Sequence, residues 1–494
     1  MATPNALIQD SLTRDWLVGV SRDRFHAAFH ARAAQLAEMD SLQHIFLVEP
    51  DPVDFLAGLL SALAAGHHLI LGNPRWEQRE WQQALALTTP TLIWGQPPLS
   101  TEPLSLSNQP LSNQPETSNP PKTIAQHPTS NRQHPTILIP TGGSSGHLRF
   151  AVHTWETLIA SVQGFHQFFG GDRLHSCCVL PLFHVSGLMQ VMRTLHTGSL
   201  LALPNFKDLE QGQFPDHDMT GWFLSLVPTQ LHRLMQNPAT IPWLQQFRAI
   251  LLGGAPAWGD LLKQGRALRL PLAPTYGMTE TAAQIATQYP QDFLAGRSGY
   301  TVLPHAQVTL MPTAESSVVA STAAQSSTPP GVVGIRASSL FWGYGSDGAD
   351  GRNRGDRPFL TDDIGYLDQS GKLHVLGRAS DKIITGGENV FPAEVESAIW
   401  ATGLVRDVAV LGMGDRHWGE CVTALYVPNS PNLAGTDIAD RLAATLSHYK
   451  RPKRWLACTQ LPRNTQGKLN RTELYHLAQT LNQRQFSQNS RTNT

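Results

Sequence analysis

A run of glycine and hydroxyl residues at 141–146 is the first feature whose composition suits chemistry. It reads Thr-Gly-Gly-Ser-Ser-Gly and follows residues 136–140, an apolar stretch that predicts a buried strand. Glycines permit a tight turn with exposed N–H groups, and hydroxyls add donors, so such a loop can wrap a phosphate. The Walker A pattern is absent, and a simple turn between strands has the same composition. The candidate phosphate-binding residues are Thr141, Gly142, Gly143, Ser144, Ser145 and Gly146.

Arg193 is a second candidate, because it lies inside an apolar run, residues 188–195, whose pattern predicts a helix. A buried guanidinium needs an anion to offset its loss of hydration. That anion can belong to a substrate or to a protein carboxylate, and the sequence leaves both open. His184 lies nine residues earlier in another apolar stretch, where a histidine is more often a core residue than a ligand.

Alternating strands and helices must position these residues. Ile45–Val48 and His68–Leu71 predict strands, and Val53–Ala64 between them predicts a helix. This βαβ order is typical of a mainly parallel sheet. We therefore expect an α/β protein with a large N-terminal domain of mixed sheets and helices (residues 1–377). A small C-terminal α+β domain (residues 378–494) should follow it, since that segment has strands and a helix of its own.

Composition limits the partners. The chain has 494 residues and a formal net charge of −1, so we expect neither nucleic acid nor anionic lipid as a partner. No apolar stretch approaches the length of about 18 residues that predicts a membrane span. The four cysteines form neither a disulfide framework nor a CxxC metal pattern, which favours the reducing cytoplasm. The oligomeric state stays open, a homo-oligomer included.

Three polar or terminal segments complete the prediction. Residues 96–134 are dominated by Pro, Ser, Asn and Gln and contain a five-residue block twice, which predicts a flexible surface insertion. Residues 436–447 predict a helix, and the polar residues after Gln479 predict a frayed tail.

Several motifs resemble, in the same order, those of the adenylate-forming enzymes, which include acyl-CoA synthetases, luciferases and peptide-synthetase adenylation domains. The resemblance spans most of the chain, and Tyr-Gly-Met-Thr-Glu-Thr at 276–281 is its most specific part. The loop departs most, with Leu148, Arg149 and Phe150 where the family has Pro, Lys and Gly, although arginine keeps the positive charge. The remaining motifs lie at residues 251–256, 361–366, 376–378, 379–392 and 462–471.

The resemblance implies an enzyme that uses ATP and Mg²⁺ to activate a carboxylic acid as an acyl-adenylate and then transfers the acyl group to coenzyme A. The ATP-binding residues it implies, besides the loop and Arg149, are Gly253, Gly254, Ala255, Tyr276, Gly277, Asp363 and Arg378. The catalytic residues it implies are Thr279 at the α-phosphate, Glu280 as Mg²⁺ ligand and Lys468 at the developing charge. It also implies that Gly386 and Gly387 line the path of coenzyme A, and that the small domain rotates at Ser380 between the half-reactions.

The acid is indicated by the string Pro-Leu-Phe-His-Val-Ser-Gly at 181–187 and by Arg193. Within the family this segment is similar to the 2-succinylbenzoate–CoA ligases of menaquinone and phylloquinone synthesis. The resemblance implies a substrate site of His184, Ser186, Gly187 and Arg193, with Arg193 on the carboxylate that is not activated. Alternatives are a CoA ligase for another aromatic or fatty acid, a non-catalytic nucleotide-binding homologue and, ranked lower, an adenylation domain that serves a carrier protein.

Overall fold

The computed structural model describes residues 4–96, 135–142, 148–312, 329–345, 357–385, 388–415, 418–442, 445–463 and 469–492. The insertion predicted at 96–134 lies outside the described residues except for its first position. The helices are α1 (Pro4–Leu12), α2 (Arg22–Ala37), α3 (Pro52–Ala64), α4 (Gln78–Leu87), α5 (Trp155–Phe169), α6 (Val185–His196), α7 (Phe206–Glu210), α8 (Pro228–Met235), α9 (Thr240–Gln245), α10 (Gly259–Ala267), α11 (Pro290–Leu294), α12 (Pro392–Ala401), α13 (Gly435–Leu442) and α14 (Arg471–Thr492).

The strands are β1 (Leu17–Val18), β2 (His44–Val48), β3 (His68–Leu71), β4 (Leu92–Gly95), β5 (Thr136–Gly142), β6 (Leu148–Thr154), β7 (Ser176–Cys178), β8 (Leu201–Ala202), β9 (Phe223–Leu226), β10 (Ala249–Leu252), β11 (Leu272–Met278), β12 (Ala283–Thr287), β13 (Thr301–Val302), β14 (Ala306–Met311), β15 (Gly331–Ala337), β16 (Phe359–Leu367), β17 (Leu373–Arg378), β18 (Ile383–Thr385), β19 (Glu388–Val390), β20 (Val405–Asp415), β21 (Gly419–Pro428) and β22 (Arg454–Ala457).

The first βαβ unit lies where the sequence predicted it. β3 has the predicted bounds, and β2 and α3 each begin one residue earlier than predicted. The start of α3 is stabilised by Asp51, whose side chain accepts hydrogen bonds from Val53 N (2.8 Å) and Asp54 N (3.1 Å). Pro52 in the first turn has no N–H to leave unsatisfied. A capped apolar segment between two strands therefore forms a helix.

Two largely parallel sheets make up most of the N-terminal region. One has the strand order β4-β2-β3-β5-β6 and is parallel except for the β5–β6 pair. The other has the order β1-β8-β7-β9-β10-β11-β12-β13 and is parallel up to β11, with β12 and β13 antiparallel. The prediction of a mainly parallel sheet is confirmed, and the antiparallel pairs β5–β6 and β11–β12 carry the glycine-rich loop and the motif at 276–281.

The main core lies between these two sheets. Helices α3, α5 and α6 fill it, and their apolar side chains belong to one cluster with those of both sheets. A helix that contacts apolar neighbours on most of its surface has a nearly continuous apolar sequence, as α3 does. Helices α8, α9 and α10 cover the outer face of the eight-stranded sheet. Within the described part of the chain, no helix is long and apolar enough to cross a membrane.

Two smaller sheets follow. β14, β15, β16 and β17 form an antiparallel sheet, and β18 to β22 form a separate mixed sheet with its own apolar clusters. β17 ends at Arg378, and the next strand belongs to the other sheet. The change of sheet lies between Arg378 and Ile383, close to the domain division at residues 377/378, which stays a proposal.

The two proposed domains meet at an aromatic contact. Trp258, directly before α10, stacks on Trp400 of α12 with ring centroids 4.4 Å apart and planes within 12°. His232 of α8 lies across the edges of both rings. The backbone N–H of Gly259 donates a hydrogen bond to Ser397 Oγ at 3.3 Å. These side chains come from α8, α10 and α12, so they link the two regions in this orientation.

Two predictions for the C-terminal region differ from the structure. The helix expected at 436–447 is α13, which runs from Gly435 to Leu442, and Leu446 beyond its end is buried in the same apolar cluster as Ile438 and Leu442. The tail expected to fray after Gln479 is the second half of α14, which runs to Thr492. The first half of this helix packs against β20, β21 and β22 through buried apolar side chains, and that packing supplies the nucleus from which the helix continues.

Candidate active site

The strands that flank the glycine-rich loop are β5 and β6. Thr141 lies opposite Arg149 and Gly142 lies opposite Leu148 in an antiparallel register. The residues on either side of the loop are therefore neighbours at one edge of the five-stranded sheet. The predicted loop residues Gly143, Ser144, Ser145 and Gly146 lie outside the described residues.

Packing explains how this loop departs from its family. Phe150, where the family has glycine, is fully buried and contacts Phe46 and Trp76 edge-on, with both centroid distances at 6.4 Å. Leu148 packs at the margin of the same cluster. Arg149 is exposed between these two apolar residues, and its guanidinium lies 5.1 Å from the ring centre of Tyr344. Leu148 and Phe150 therefore fix β6 in the core, while the exposed Arg149 can still reach a phosphate.

In the turn after β10, Gly253 has no room for a side chain. A Cβ added at Gly253 would lie 2.4 Å from Thr275 Oγ1 of β11. Gly254 has φ +81°, a conformation that favours glycine. Ala255 follows and is exposed. Bare backbone is thus presented at the carboxyl ends of two parallel strands, the edge where open α/β sheets bind ligands.

Gly277 is required by the close approach of β11 and β12. A Cβ there would lie 2.2 Å from the Ala283 carbonyl oxygen. The register of the pair shifts between Tyr276 and Gly277, and Gly277 pairs with Gln284. A bulge of this kind changes the direction of a neighbouring side chain.

The hydroxyl of Tyr276 donates a hydrogen bond to Asp363 Oδ2 at 2.7 Å, across 87 residues of sequence. Arg378 pairs with Asp363 between β16 and β17, and its Nε lies 3.7 Å from Asp363 Oδ1. Burial raises the pKa of the Asp363 carboxyl, and the Tyr276 hydrogen bond and the Arg378 charge oppose that rise. The three residues predicted to bind adenosine are therefore in one place, and the carboxylate lies between a hydroxyl donor and a positive charge.

Thr279, Glu280 and Thr281 form a single turn between β11 and β12. The turn ends in two residues with positive φ, Ala282 (+51°) and Ala283 (+78°). Thr281 Oγ1 bridges the turn, since it accepts from the Met278 N–H at 3.0 Å and donates to the Ala283 carbonyl at 2.6 Å. Non-glycine residues adopt such angles only where the surroundings impose them.

Glu280 is buried, and its Oε1 accepts a hydrogen bond from the Tyr344 hydroxyl at 2.7 Å. Burial and the Glu280 charge raise the pKa of Tyr344, so its hydroxyl stays protonated and remains a donor. Arg149 lies over the same ring. The predicted metal ligand and the predicted phosphate-binding arginine are therefore joined through a tyrosine that the sequence analysis missed. No motif spacing marked Tyr344.

His153 of β6 is a second residue that the sequence analysis missed. It is fully buried, and its Nε2 donates to the Thr279 carbonyl at 2.8 Å, across 126 residues. Its Nδ1 lies 3.0 Å from Thr157 Oγ1 of α5. Burial lowers the pKa of the His153 imidazole to about 4, so the ring is neutral at pH 7. The sequence signal that could have identified His153 is its place in the strand directly after the glycine-rich loop.

Arg193 is buried in α6, as its apolar surroundings predicted. Its Nη2 donates to Gln284 Oε1 at 2.8 Å, and its Cζ lies 3.9 Å from the centre of the Phe165 ring. Its Nε has no hydrogen-bond partner among the described residues, and no described carboxylate pairs with it. Burial lowers the pKa of Arg193 to about 9, so the guanidinium remains charged at neutral pH.

The segment 181–187 leads into the N-terminal end of α6. His184 is the residue before the first turn of α6 and contacts the Phe183 ring, with centroids 4.4 Å apart. Ser186 is exposed, and its carbonyl accepts a hydrogen bond from Gln190. A Cβ at Gly187 would lie 2.2 Å from the Pro181 carbonyl oxygen, so a side chain there is excluded. His184 and Arg193 therefore lie at opposite ends of one helix.

The predicted hinge residue, Ser380, is held by Asp362. The Ser380 N–H donates to Asp362 Oδ1 at 3.2 Å, and the Ser380 hydroxyl donates to Asp362 Oδ2. The Ala379 N–H donates to the Asp362 carbonyl at 2.7 Å. The adenylate-forming enzymes have glycine at the position of Asp362, and many of them have aspartate at the position of Ser380, so in this chain the carboxylate of the pair belongs to residue 362.

The remaining predicted residues, Gly386, Gly387 and Lys468, lie outside the described residues, and their roles stay predictions. The strands on either side of the two glycines pair directly, with Thr385 opposite Glu388. The residues on either side of the Lys468 segment are joined by a bridge between Arg463 and Leu469.

The described side chains fit a nucleotide with Mg²⁺. Gly254 and Ala255 present exposed backbone at this edge, and Asp363 offers carboxylate oxygens to a ribose. No cluster of three metal-binding side chains exists among the described residues. Mg²⁺ bound with phosphates needs only one or two protein carboxylates, which Glu280 can supply.

Comparison with protein families gives two matches. The model of AMP-binding enzymes matches residues 22–344, and the model of the C-terminal domain of AMP-binding enzymes matches residues 394–468. Both matches are in the order that the sequence motifs predicted. The first ends at Tyr344 and so contains the phosphate loop and the turn of Thr279 and Glu280.

Curated relatives point to one activity. The chain is 30% identical over 332 residues, 67% of each chain, to a 2-succinylbenzoate–CoA ligase of Enterococcus faecalis. It is 32% identical over 373 residues, 74% of each chain, to a protein of the same name from Bacillus anthracis. A third, from Bacillus licheniformis, is 34% identical over 60% of each chain.

Solved structures share the fold. An o-succinylbenzoate CoA synthetase from Bacillus subtilis, in complex with an acyl-adenylate intermediate, superposes with a TM-score of 0.77 at 24% identity. The superposition covers 96% of this chain and 98% of the other. The predicted fold class, a large α/β region with a small C-terminal domain, is confirmed.

Proposed function

This chain belongs to the family of AMP-binding enzymes, and we propose that it is an ATP-dependent acid–CoA ligase whose acid is 2-succinylbenzoate. The sequence motifs predicted this activity, and the names of the curated relatives support it. The structural observation that carries the choice of acid is Arg193, a buried cation with no described carboxylate beside it. Such a charge requires an anion.

In the first half-reaction, the acid's carboxylate attacks the α-phosphorus of ATP, the bond to the β,γ-pyrophosphate breaks, and pyrophosphate leaves. We assign Tyr276, Asp363 and Arg378 to the adenosine, because a hydrogen bond and an ion pair join them beside the turn after β10. The Thr279 hydroxyl and the loop hydroxyls supply donors to phosphate oxygens. Donors that are fixed before the reaction stabilise charge that develops on those oxygens.

Glu280 would hold Mg²⁺, which neutralises phosphate charge when it is bound. The Tyr344 hydroxyl orients this carboxylate by occupying Oε1. Arg149 lies beside the same tyrosine and adds a fixed positive charge on the phosphate side. Lys468 would act between the acid's carboxylate and the α-phosphate.

In the second half-reaction, the thiol of coenzyme A attacks the acyl carbon, the acyl–phosphate bond breaks, and AMP leaves. We propose that the small domain rotates at Ser380 so that Gly386 and Gly387 admit the pantetheine arm. The absence of side chains at two successive positions lets a thin chain pass close to the backbone. Lys468 would leave the site in the same movement.

The proposed acid carries two carboxylates, and only one is activated. α6 holds Arg193 at one end and His184 at the other, and Gln284 links Arg193 to the strand partner of Gly277. The acid can therefore lie between the nucleotide motif and a buried cation. A guanidinium binds a carboxylate through two parallel hydrogen bonds, and the unpartnered Nε is one available donor. A monocarboxylic acid would leave this charge uncompensated.

We propose a cytoplasmic enzyme of quinone biosynthesis whose partners are the acid, ATP and coenzyme A. All four cysteines are free, which suits a reducing compartment.

A panel of acids tests the proposed function. Pyrophosphate release would be measured with ATP, Mg²⁺, coenzyme A and one of 2-succinylbenzoate, benzoate, 4-phenylbutyrate or a fatty acid. We expect kcat/KM to be highest for 2-succinylbenzoate. A higher value for benzoate or a fatty acid would favour a different acid–CoA ligase, and no release with any acid would favour a non-catalytic nucleotide-binding homologue.

A further inference from the structure

We propose that His153 is a positioning residue for adenylate formation, which holds the turn of Thr279 and Glu280 through a hydrogen bond to the Thr279 carbonyl. The inference rests on the proposed ligase function. His153 is not expected to touch a substrate, since both ring nitrogens already have protein partners.

Four successive backbone carbonyls of the turn, those of residues 279–282, accept hydrogen bonds from residues of other elements. The Thr279 carbonyl accepts from His153 Nε2 at 2.8 Å, and the Glu280 carbonyl accepts from the Phe341 N–H at 2.8 Å. The Thr281 carbonyl accepts from Ser339 Oγ at 2.9 Å, and the Ala282 carbonyl accepts from Ser161 Oγ at 2.6 Å. The donors come from β6, α5 and the segment after β15.

Such support is needed because the turn is strained. Ala282 and Ala283 both have positive φ, a conformation that residues other than glycine rarely adopt. A strained turn relaxes when its partners are removed. His153 holds the first carbonyl, that of the residue whose hydroxyl is assigned to the α-phosphate, so its loss should displace the Thr279 side chain most directly.

The partners of His153 determine its tautomer. A carbonyl oxygen only accepts, so Nε2 must carry the proton that bonds Thr279. The ring is neutral because it is fully buried, so Nδ1 has no proton and accepts from the Thr157 hydroxyl. Both hydrogen bonds are therefore made without a buried charge.

His153 also connects the two phosphate-binding elements. It lies on β6 with Arg149, the strand that leaves the glycine-rich loop. Its bond to Thr279 therefore ties that strand to the turn between β11 and β12. His153 therefore fixes the spacing between this strand and the turn, together with the contacts of the segment after β15.

Substitutions of matched chemistry test the inference. Gln places its amide nitrogen near the position of Nε2, whereas Asn is too short to reach Thr279. We expect His153→Gln to keep ATP–pyrophosphate exchange within about 5-fold of wild type and His153→Asn to lose roughly 10- to 100-fold in kcat, since small misplacements cost about that much. KM for ATP and thiolysis of supplied adenylate should change little in both variants.

A double-mutant cycle shows whether His153 acts through Thr279. If it does, His153→Asn should cost less than about 3-fold when added to Thr279→Ala, because the hydroxyl it positions is gone. His175→Asn is a control for loss of a histidine–backbone hydrogen bond elsewhere, since His175 Nδ1 accepts from Leu200 N at 2.9 Å. That control should lower thermal stability without changing the exchange rate of the folded enzyme.

Three results would overturn the inference. They are equal exchange rates in the Gln and Asn variants, equal losses in both half-reactions, and losses that multiply in the double mutant. An inactive wild type would instead remove the proposed function and this inference with it, whereas an active wild type with an equally active His153→Asn variant would remove the inference alone.

Discussion

Arg193 shows how far a single residue can be interpreted. Its apolar neighbours in the sequence predicted burial and therefore the need for an anion. The structure adds that one nitrogen bonds Gln284, the ring of Phe165 covers the guanidinium, and Nε lacks a described partner. An aromatic face and an amide offset only part of the lost hydration, so the protein-carboxylate alternative has no support among the described residues.

Replacing Arg193 by Ala should raise KM for 2-succinylbenzoate about 10- to 100-fold, because a charge-assisted hydrogen bond contributes about 1.5–3 kcal/mol. KM for ATP should stay within about 2-fold. Steady-state pyrophosphate release measures both constants. Arg193→Lys is the matched control, since it keeps the positive charge but loses the paired donors of the guanidinium. Its KM for 2-succinylbenzoate should lie between those of wild type and Arg193→Ala. An unchanged KM for the acid would exclude this contact.

At the scale of elements, the contact between β16 and the start of the small domain explains two departures from the family together. Asp362 replaces a glycine, and Ser380 replaces a frequent aspartate. The structure places them in one hydrogen-bonded group in which the carboxylate now belongs to β16. Both residues are exposed, so each bond is worth about 0.5–1.5 kcal/mol, enough to bias a hinge but not to lock it.

Asp362→Ala should loosen this hinge, because both acceptors for Ser380 are lost. We expect amide hydrogen exchange at Ser380 to speed up roughly 5- to 10-fold, measured by mass spectrometry on peptides that span residues 379–382. Asp362→Asn keeps an acceptor and should stay near wild type. Unchanged exchange in the Ala variant would show that the bond does not restrain the hinge.

At the scale of the whole molecule, the two proposed domains touch through the stack of Trp258 on Trp400. A domain rotation must break this contact, because the two rings come from α10 and α12, on either side of the hinge. Stacked aromatic pairs contribute about 0.5–1.5 kcal/mol beyond their buried area. That amount shifts an equilibrium between orientations about 2- to 10-fold.

Trp400→Ala should therefore change the ratio of the two half-reaction rates by several-fold, as measured by ATP–pyrophosphate exchange and by thiolysis of supplied adenylate. Phe214→Ala is the control, since it removes a similar stack, Phe214 on Trp243, that lies wholly within the large domain. The control should lower stability and leave the ratio unchanged. Equal rate changes in both half-reactions of the Trp400 variant would contradict this role.

Lys468→Ala should reduce adenylate formation by about 100-fold or more but spare thiolysis, because its charge is needed only while charge develops at the α-phosphate. The same two assays separate the steps. Lys263→Ala removes an exposed lysine on α10 and should change neither. Equal losses in both half-reactions of the Lys468 variant would contradict the proposed rotation.

The sequence by itself determined the family, the fold class and the chemistry. Motifs such as Tyr276–Thr281 are contiguous in the chain, so they can be recognised without knowing which residues are in contact. It also predicted the first βαβ unit, since strands and helices there follow local apolar patterns. The tertiary structure decided which distant residues meet. Tyr344 reaches Glu280 across 64 residues and His153 reaches Thr279 across 126, through the packing of different sheets. Local propensity carries no information about such pairs, because they depend on how β6, β11 and the segment after β15 are brought together.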